Sequence, residues 1–342
     1  MNKGKGVRVL ALLVAVAMLA LLLTACGGGD KGEKEMKTIT LSEVTHSVFY
    51  APQYVAMELG FFEEEGLKID MISGEGADKV MTSVISGAVD IGFSGPEAAI
   101  YIYNEGKADY ASVFGQVTKR DGSFLVAREP DGDFAWKKLE GKHVLPGRKG
   151  GVPYMAFEYV VKQHGLNPGV NVNFDNSIQF AAMTGAFLGG TGDYVTVFEP
   201  TASSIEAEGK GYIVASIGEA AGEIPYTAYY ALNSYIEKNP DIIQGFTNAL
   251  YRGQKWVAEH TAKEIAEAIA PQFPDADLAI MEKAITRYKE IDAYATVPMM
   301  TEDSLGRLQT VMEAAGELSN KMPYDKIVDN TFGEEAVKNS KE

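Results

Sequence analysis

The chain has 342 residues, 46% of them hydrophobic, and a formal net charge of −16. A body this acidic repels phosphate backbones, which excludes nucleic acid as a partner. Its one cysteine, Cys26, rules out an intramolecular disulfide and a cysteine-based metal cluster.

At the N-terminus, Lys3, Lys5 and Arg8 lead into an unbroken apolar run from Val9 to Leu23. At about 1.5 Å of helix rise per residue, that run falls short of the ~30 Å hydrocarbon core, so residues 1–25 read as an export signal. Leu23-Thr24-Ala25-Cys26 resembles a bacterial lipobox, which would put lipid on Cys26 and leave residues 26–37 as a polar, flexible tether. Loss of the signal takes away three positive charges, moving the net charge from −16 to −19. The working part is then extracytoplasmic, anchored by lipid to the outer face of the cytoplasmic membrane (or on the periplasmic side).

From Thr38 onward, β-branched runs alternate with amphipathic stretches, the pattern of an α/β protein. One motif occurs twice. Met81-Thr82, Gly87-Ala88-Val89-Asp90, the strand from Ile91, Pro96 and Glu105-Gly106-Lys107 recur as Met183-Thr184, Gly190-Thr191-Gly192-Asp193, the strand from Tyr194, Pro200 and Glu208-Gly209-Lys210. Upstream, the strand Thr38–Val44 and a helix near Pro52 match the strand Lys142–Leu145 and a helix near Pro153. Each copy therefore predicts a mostly parallel sheet with helices on its faces.

Residues 38–118 and 225–342 form one lobe, and residues 119–224 the other. The chain crosses once at Lys119-Arg120-Asp121-Gly122 and returns at Glu223-Ile224-Pro225-Tyr226 before a strand over Thr227–Leu232. Ser234 to about Leu318 reads as helix, expected on the first lobe and the outer face of the cleft. Two crossings make a hinge, and two lobes about a hinge make a clamp.

Ligands of open parallel sheets bind beyond the carboxyl ends of the strands, against helix N-termini. That rule selects His46, Ser47, Phe49 and Tyr50 after the first strand, and Ser94, Gly95 and Glu97 after the third. Gly76 lies on the rim, and Gln116 on the strand leaving the first lobe. In the second lobe it selects Arg148, Lys149 and Gly150, then Phe198 and Glu199. Phe49 and Tyr50 would stack a flat ligand. Glu97 and Glu199 occupy equivalent places in the two copies and would accept from ligand N–H groups, or merely favour helix N-termini. Arg148 and Lys149 would hold an anion, or be solvated rim charges. Catalytic alternatives are thin: Gly92-Phe93-Ser94-Gly95-Pro96 lacks the spacing of a nucleophile elbow. The four histidines, His46, His143, His164 and His260, lack a metal-ligand spacing. No cofactor is expected.

Phe49-Tyr50-Ala51-Pro52-Gln53-Tyr54-Val55-Ala56, Gly60-Phe61-Phe62 and Glu65-Gly66-Leu67 resemble the opening of NitT/TauT-type substrate-binding proteins of ABC importers. The likeness covers about residues 38–320 and implies a two-lobed periplasmic-binding-protein-like fold (type II), a monomer that delivers its ligand to a permease driven by ATPase subunits. That family includes binders of nitrate, taurine, alkanesulfonates, riboflavin and the pyrimidine precursor of thiamine. The carboxylates and aromatics here favour a small nitrogen heterocycle, with a thiamine-type pyrimidine precursor first and riboflavin second, and Arg148 with Lys149 an alkanesulfonate- or taurine-type anion third. The enzymatic branch, eukaryotic synthases of that pyrimidine, carries a cysteine-rich cluster and a histidine where Tyr50 stands here, so the residues argue against catalysis. A lipoprotein that signals occupancy to a membrane sensor shares the same sequence features.

Overall fold

The computed structural model describes residues 36–340, so the export signal, the lipobox at Cys26 and all of the tether before residue 36 lie outside the described residues. Residues from Lys37 onward form one compact unit. Ten strands make two five-stranded sheets, ordered β2-β1-β3-β10-β4 and β7-β6-β8-β5-β9.

The first sheet comprises β1 (Lys37–Glu43), β2 (Leu67–Ser73), β3 (Ile91–Ser94), β4 (Ala111–Thr118) and β10 (Thr227–Leu232). The second comprises β5 (Ser123–Ala127), β6 (His143–Leu145), β7 (Asn173–Phe174), β8 (Tyr194–Phe198) and β9 (Tyr212–Ser216). Every residue of β3, β4 and β5 is buried, as strands covered on both faces must be.

The sequence repeat is a repeat in space. β1, β2, β3 and β4 hold the positions that β6, β7, β8 and β9 hold in the other sheet. In each sheet the fourth place is filled by the strand that has just crossed from the other half, β10 in the first and β5 in the second. Those two strands run antiparallel to both neighbours. The expectation of a mostly parallel sheet in each half therefore holds: β2-β1-β3 and β7-β6-β8 are parallel, and only the crossing strands run against their neighbours. A strand entering from the opposite lobe comes in at the carboxyl ends of the parallel strands, so it runs the other way.

Helices line both sheets: α1 (Ala51–Glu58), α2 (Ala77–Ile85), α3 (Glu97–Asn104), α4 (Val152–Gln163), α5 (Phe180–Leu188) and α6 (Thr201–Ala207). Pro52 and Pro153 sit in the first turns of α1 and α4, where a missing N–H costs nothing. After β10 come α7 (Pro240–Glu259), α8 (Leu278–Glu290) and α9 (Glu302–Ala314). α7 packs on α1, as expected of the C-terminal segment. α8 and α9 go further: they reach α6 and α4 of the second half, where the Lys162 ammonium donates to the Ala314 carbonyl at 2.7 Å. The run expected to be helical is also broken. Residues 293–298 are extended along β4, with Gln116 N–H donating to Pro298 at 2.7 Å and Ala295 N–H to Val117 at 2.9 Å.

Candidate ligand cleft

The carboxyl ends of β1 and β3 in one sheet face those of β6 and β8 in the other, and their loops touch. Ser47 Oγ approaches the Glu199 carbonyl at 3.4 Å, the Tyr101 hydroxyl reaches the Gly150 carbonyl at 3.3 Å, and Arg148 lies 3.5 Å from Asp78.

Aromatic rings form the floor. Phe49 lies against Tyr288 (4.6 Å between ring centres), Tyr50 (5.6 Å), Tyr226 (5.7 Å) and Phe198 (6.2 Å). Gly122 is required beneath it, because a Cβ there would stand 2.6 Å from the Phe49 ring. The Phe49 side chain is thereby sealed between the halves. Tyr50 meets Phe93 edge-on at 4.7 Å, and its burial raises the phenol pKa well above the ordinary range. Phe198 is only half-buried and continues to Phe180, an exposed ring at the start of α5 that sequence reasoning did not select.

The two repeat glutamates part company here. Both are buried, at 4% exposure for Glu97 and 1% for Glu199. The Glu199 carboxylate is fully engaged: it accepts from Ser203 N–H at 2.8 Å, from Ser203 Oγ at 2.8 Å and from Arg287 Nη1 at 2.6 Å. Its backbone N–H donates to the Tyr288 hydroxyl at 3.0 Å. It is a cap and an ion-pair partner. Glu97 folds back over Gly95, where any Cβ would collide with the carboxylate, and its Oε2 has no partner. Burial pushes its pKa up to about 7, against the pull of Arg148 and of the nearby N–H groups of Glu97 and Val152.

A third carboxylate, Asp121, was read in the sequence only as a break between strands. It is buried on the first crossing, its Oδ1 accepting from Ser123 N–H at 2.6 Å and Ser123 Oγ at 2.5 Å. Neither its Oδ2 nor the Tyr226 hydroxyl has a partner in good hydrogen-bond geometry, although the neighbouring Tyr226 hydroxyl helps to lower the Asp121 pKa. Burial pushes Asp121 up to about 7 as well.

The other selected residues divide. His46 is held by Glu43 Oε1 (2.7 Å), the Gln272 carbonyl (2.9 Å) and the Phe273 ring (4.5 Å), and Glu43 raises its pKa. Ser47 caps the short turn Val48–Tyr50, Ser94 pairs with the Tyr230 hydroxyl at 2.6 Å, and Gln116 folds onto the Thr118 carbonyl at 3.2 Å. Apart from the Ser47 contact with the Glu199 carbonyl, these serve the first half internally. Gly76, Arg148, Lys149 and Gly150 line the outer rim; Gly76 has φ 147°, and Arg148 and Lys149 are exposed. A surface groove of about 260 Å³ beside β9, bordered by Phe124, Ile213, Ser216 and Arg287, contains none of the selected residues.

A family model described as the NMT1-like family matches residues 32–270. The chain belongs to the NMT1-like family. This places it among the NitT/TauT-type substrate-binding proteins that the opening motif resembles, which are not enzymes. YtlA of Bacillus subtilis (strain 168), named as a binding protein, is 44% identical over 324 residues, covering 95% of this chain and 96% of that one. A solved structure from Bordetella bronchiseptica RB50 matches with a TM-score of 0.73 and 21% identity, covering 90% of this chain and 99% of that one. The periplasmic nitrate-binding protein NrtA from Synechocystis PCC 6803 matches with a TM-score of 0.68 and 16% identity, over 89% of each chain. At those identities the solved structures establish the periplasmic-binding-protein fold. Among the described residues of this NMT1-like protein, no helix is long and apolar enough to cross a membrane and no three His, Cys, Asp or Glu side chains group as a metal site.

Proposed function

We propose that the protein is the extracytoplasmic solute-binding component of an ABC importer and that its ligand is a small nitrogen heterocycle, with a thiamine-type pyrimidine precursor favoured. Glu97 carries the choice: a buried carboxyl with an unpartnered oxygen calls for a donor, and it repels an anion. The aromatic floor suits a flat ring. Ligand bridging the halves favours the closed state by its greater affinity for it, and the closed form docks on a permease served by ATPase subunits. A lipid on Cys26 keeps this monomer at the outer membrane face, so Cys26→Ser releases it into the medium with binding intact; retention of that variant on membranes removes the anchor from the proposal.

A second reading takes an anion at Arg148 and Lys149 beside the start of α4, as the nitrate-binding neighbour's name suggests. Calorimetric titration separates them. We expect one-to-one binding of the hydroxymethyl aminopyrimidine half of thiamine, or of riboflavin. Binding of taurine or nitrate alone puts the site at Arg148.

A further inference from the structure

Among the described residues, eight buried side-chain polar atoms have no hydrogen-bond partner; three of them, Arg120 Nε, Asp121 Oδ2 and the Tyr226 hydroxyl, lie on the two chain crossings, and a fourth, Thr118 Oγ1, is at the end of β4 just before the first. Native interiors satisfy roughly nine in ten such groups, so a concentration of exceptions in one place has a cause. It is not loose packing. Asp121 is wholly buried, and two bonds from Ser123 to Oδ1 fix the plane of its carboxyl. That leaves Oδ2 oriented and empty.

We infer that Asp121 and Tyr226 are ligand-binding residues, taking an N–H or O–H edge of the ligand from the floor of the cleft while Glu97 takes another. The inference rests on the cleft between the sheets being the binding site. Three observations converge on it. The Tyr226 ring packs on Phe49 at 5.7 Å and on Phe198 at 6.3 Å, so its phenol stands at the aromatic floor shared by both halves. Glu97, after β3 on the same cleft, offers a second buried carboxyl oxygen without a partner. Asp121 and Tyr226 come from opposite crossings, so a molecule bound to both spans the hinge itself. The ligand class follows: a flat, uncharged or cationic molecule with donor groups on two edges, such as an amino-substituted heterocycle.

The test is calorimetric titration of the purified protein and of Asp121→Asn, Tyr226→Phe and Glu97→Gln with the hydroxymethyl aminopyrimidine, riboflavin and taurine. We expect Asp121→Asn and Tyr226→Phe each to lose at least tenfold in affinity for the heterocycle while the empty protein melts no lower than wild type. Normal affinity in both, with loss in Glu97→Gln, overturns the inference and leaves the cleft standing. Normal affinity in all three variants means that the cleft reading itself fails. If Asp121→Asn does not fold, Tyr226→Phe alone decides. Binding of taurine only, or of no probe, overturns the ligand class.

Discussion

Glu97 and Glu199 follow equivalent strands of the two repeat copies, yet one is held by four hydrogen-bonding and charged groups and the other keeps a bare oxygen. The difference is one position. Pro96 and Pro200 are the matching residues, each capping the helix that follows. Glu199 precedes its proline, so its side chain reaches forward to the third residue of α6, Ser203. Glu97 follows its proline as the first residue of α3 and can only fold back over Gly95. Arg287, which neutralises Glu199, has no counterpart at Glu97: Arg148 draws down its pKa but forms its nearest ion pair with Asp78. A repeat conserves architecture and leaves each copy free to use a carboxylate for stability or for binding.

The largest test of this contrast is Glu199→Ala. Breaking a buried ion pair by removing one partner costs about 3–5 kcal/mol; here it leaves Arg287 with Glu206 alone and the Ser203 N–H and hydroxyl without their acceptor. Denaturant melts should show that loss in the empty protein, and a loss of binding without a loss of stability would reverse the two roles.

A somewhat smaller effect is expected from pH. Glu97 rises from 4.5 to about 7 on folding, so the folded state holds a proton that the unfolded chain gives up. Its stabilisation is complete below pH 4.5 and is lost as pH rises through about 7, a change on the order of 3 kcal/mol. Asp121, raised from 3.8 to about 7, acts in the same sense. The empty protein should melt higher at mildly acidic pH than at pH 8, and Glu97→Gln should flatten part of that slope. An unchanged slope in the variant places the Glu97 carboxyl in water. Heterocycle affinity should move the other way, strengthening as the carboxyls ionise.

Much of this architecture is legible in the sequence because the repeat carries it. The strands expected at Ile91 and Tyr194 begin at those residues, and the helices expected at Pro52 and Pro153 have those prolines in their first turns. Local propensity and spacing are enough for that. The antiparallel insertion of β5 and β10 is not legible, since nothing in an apolar run states which neighbours it will find. The site is less legible still. Glu199 looks like the better ligand residue until Arg287 arrives from 88 positions away. Asp121, in Lys119-Arg120-Asp121-Gly122, has the composition of a turn, and only tertiary packing buries it. Ser94 and His46 look poised for a ligand until Tyr230 and Glu43 occupy them.

The smallest effect is expected at Arg148, and it sharpens the comparison from the ligand's side. Its side chain is 54% exposed and its pair with Asp78, itself 66% exposed, is a long 3.5 Å, so solvent screens both the pair and its pull on Glu97. Arg148→Ala should therefore change stability by less than about 1 kcal/mol. For a heterocycle held by Glu97, affinity should shift by no more than a few-fold, and upward if anything, since removing the cation leaves Glu97 as the ligand's partner. For an anion the same substitution removes the main attraction and should cost about tenfold or more. The sign of one affinity change, measured on one surface variant that folds normally, thus separates a donor-seeking cleft from an anion-seeking one.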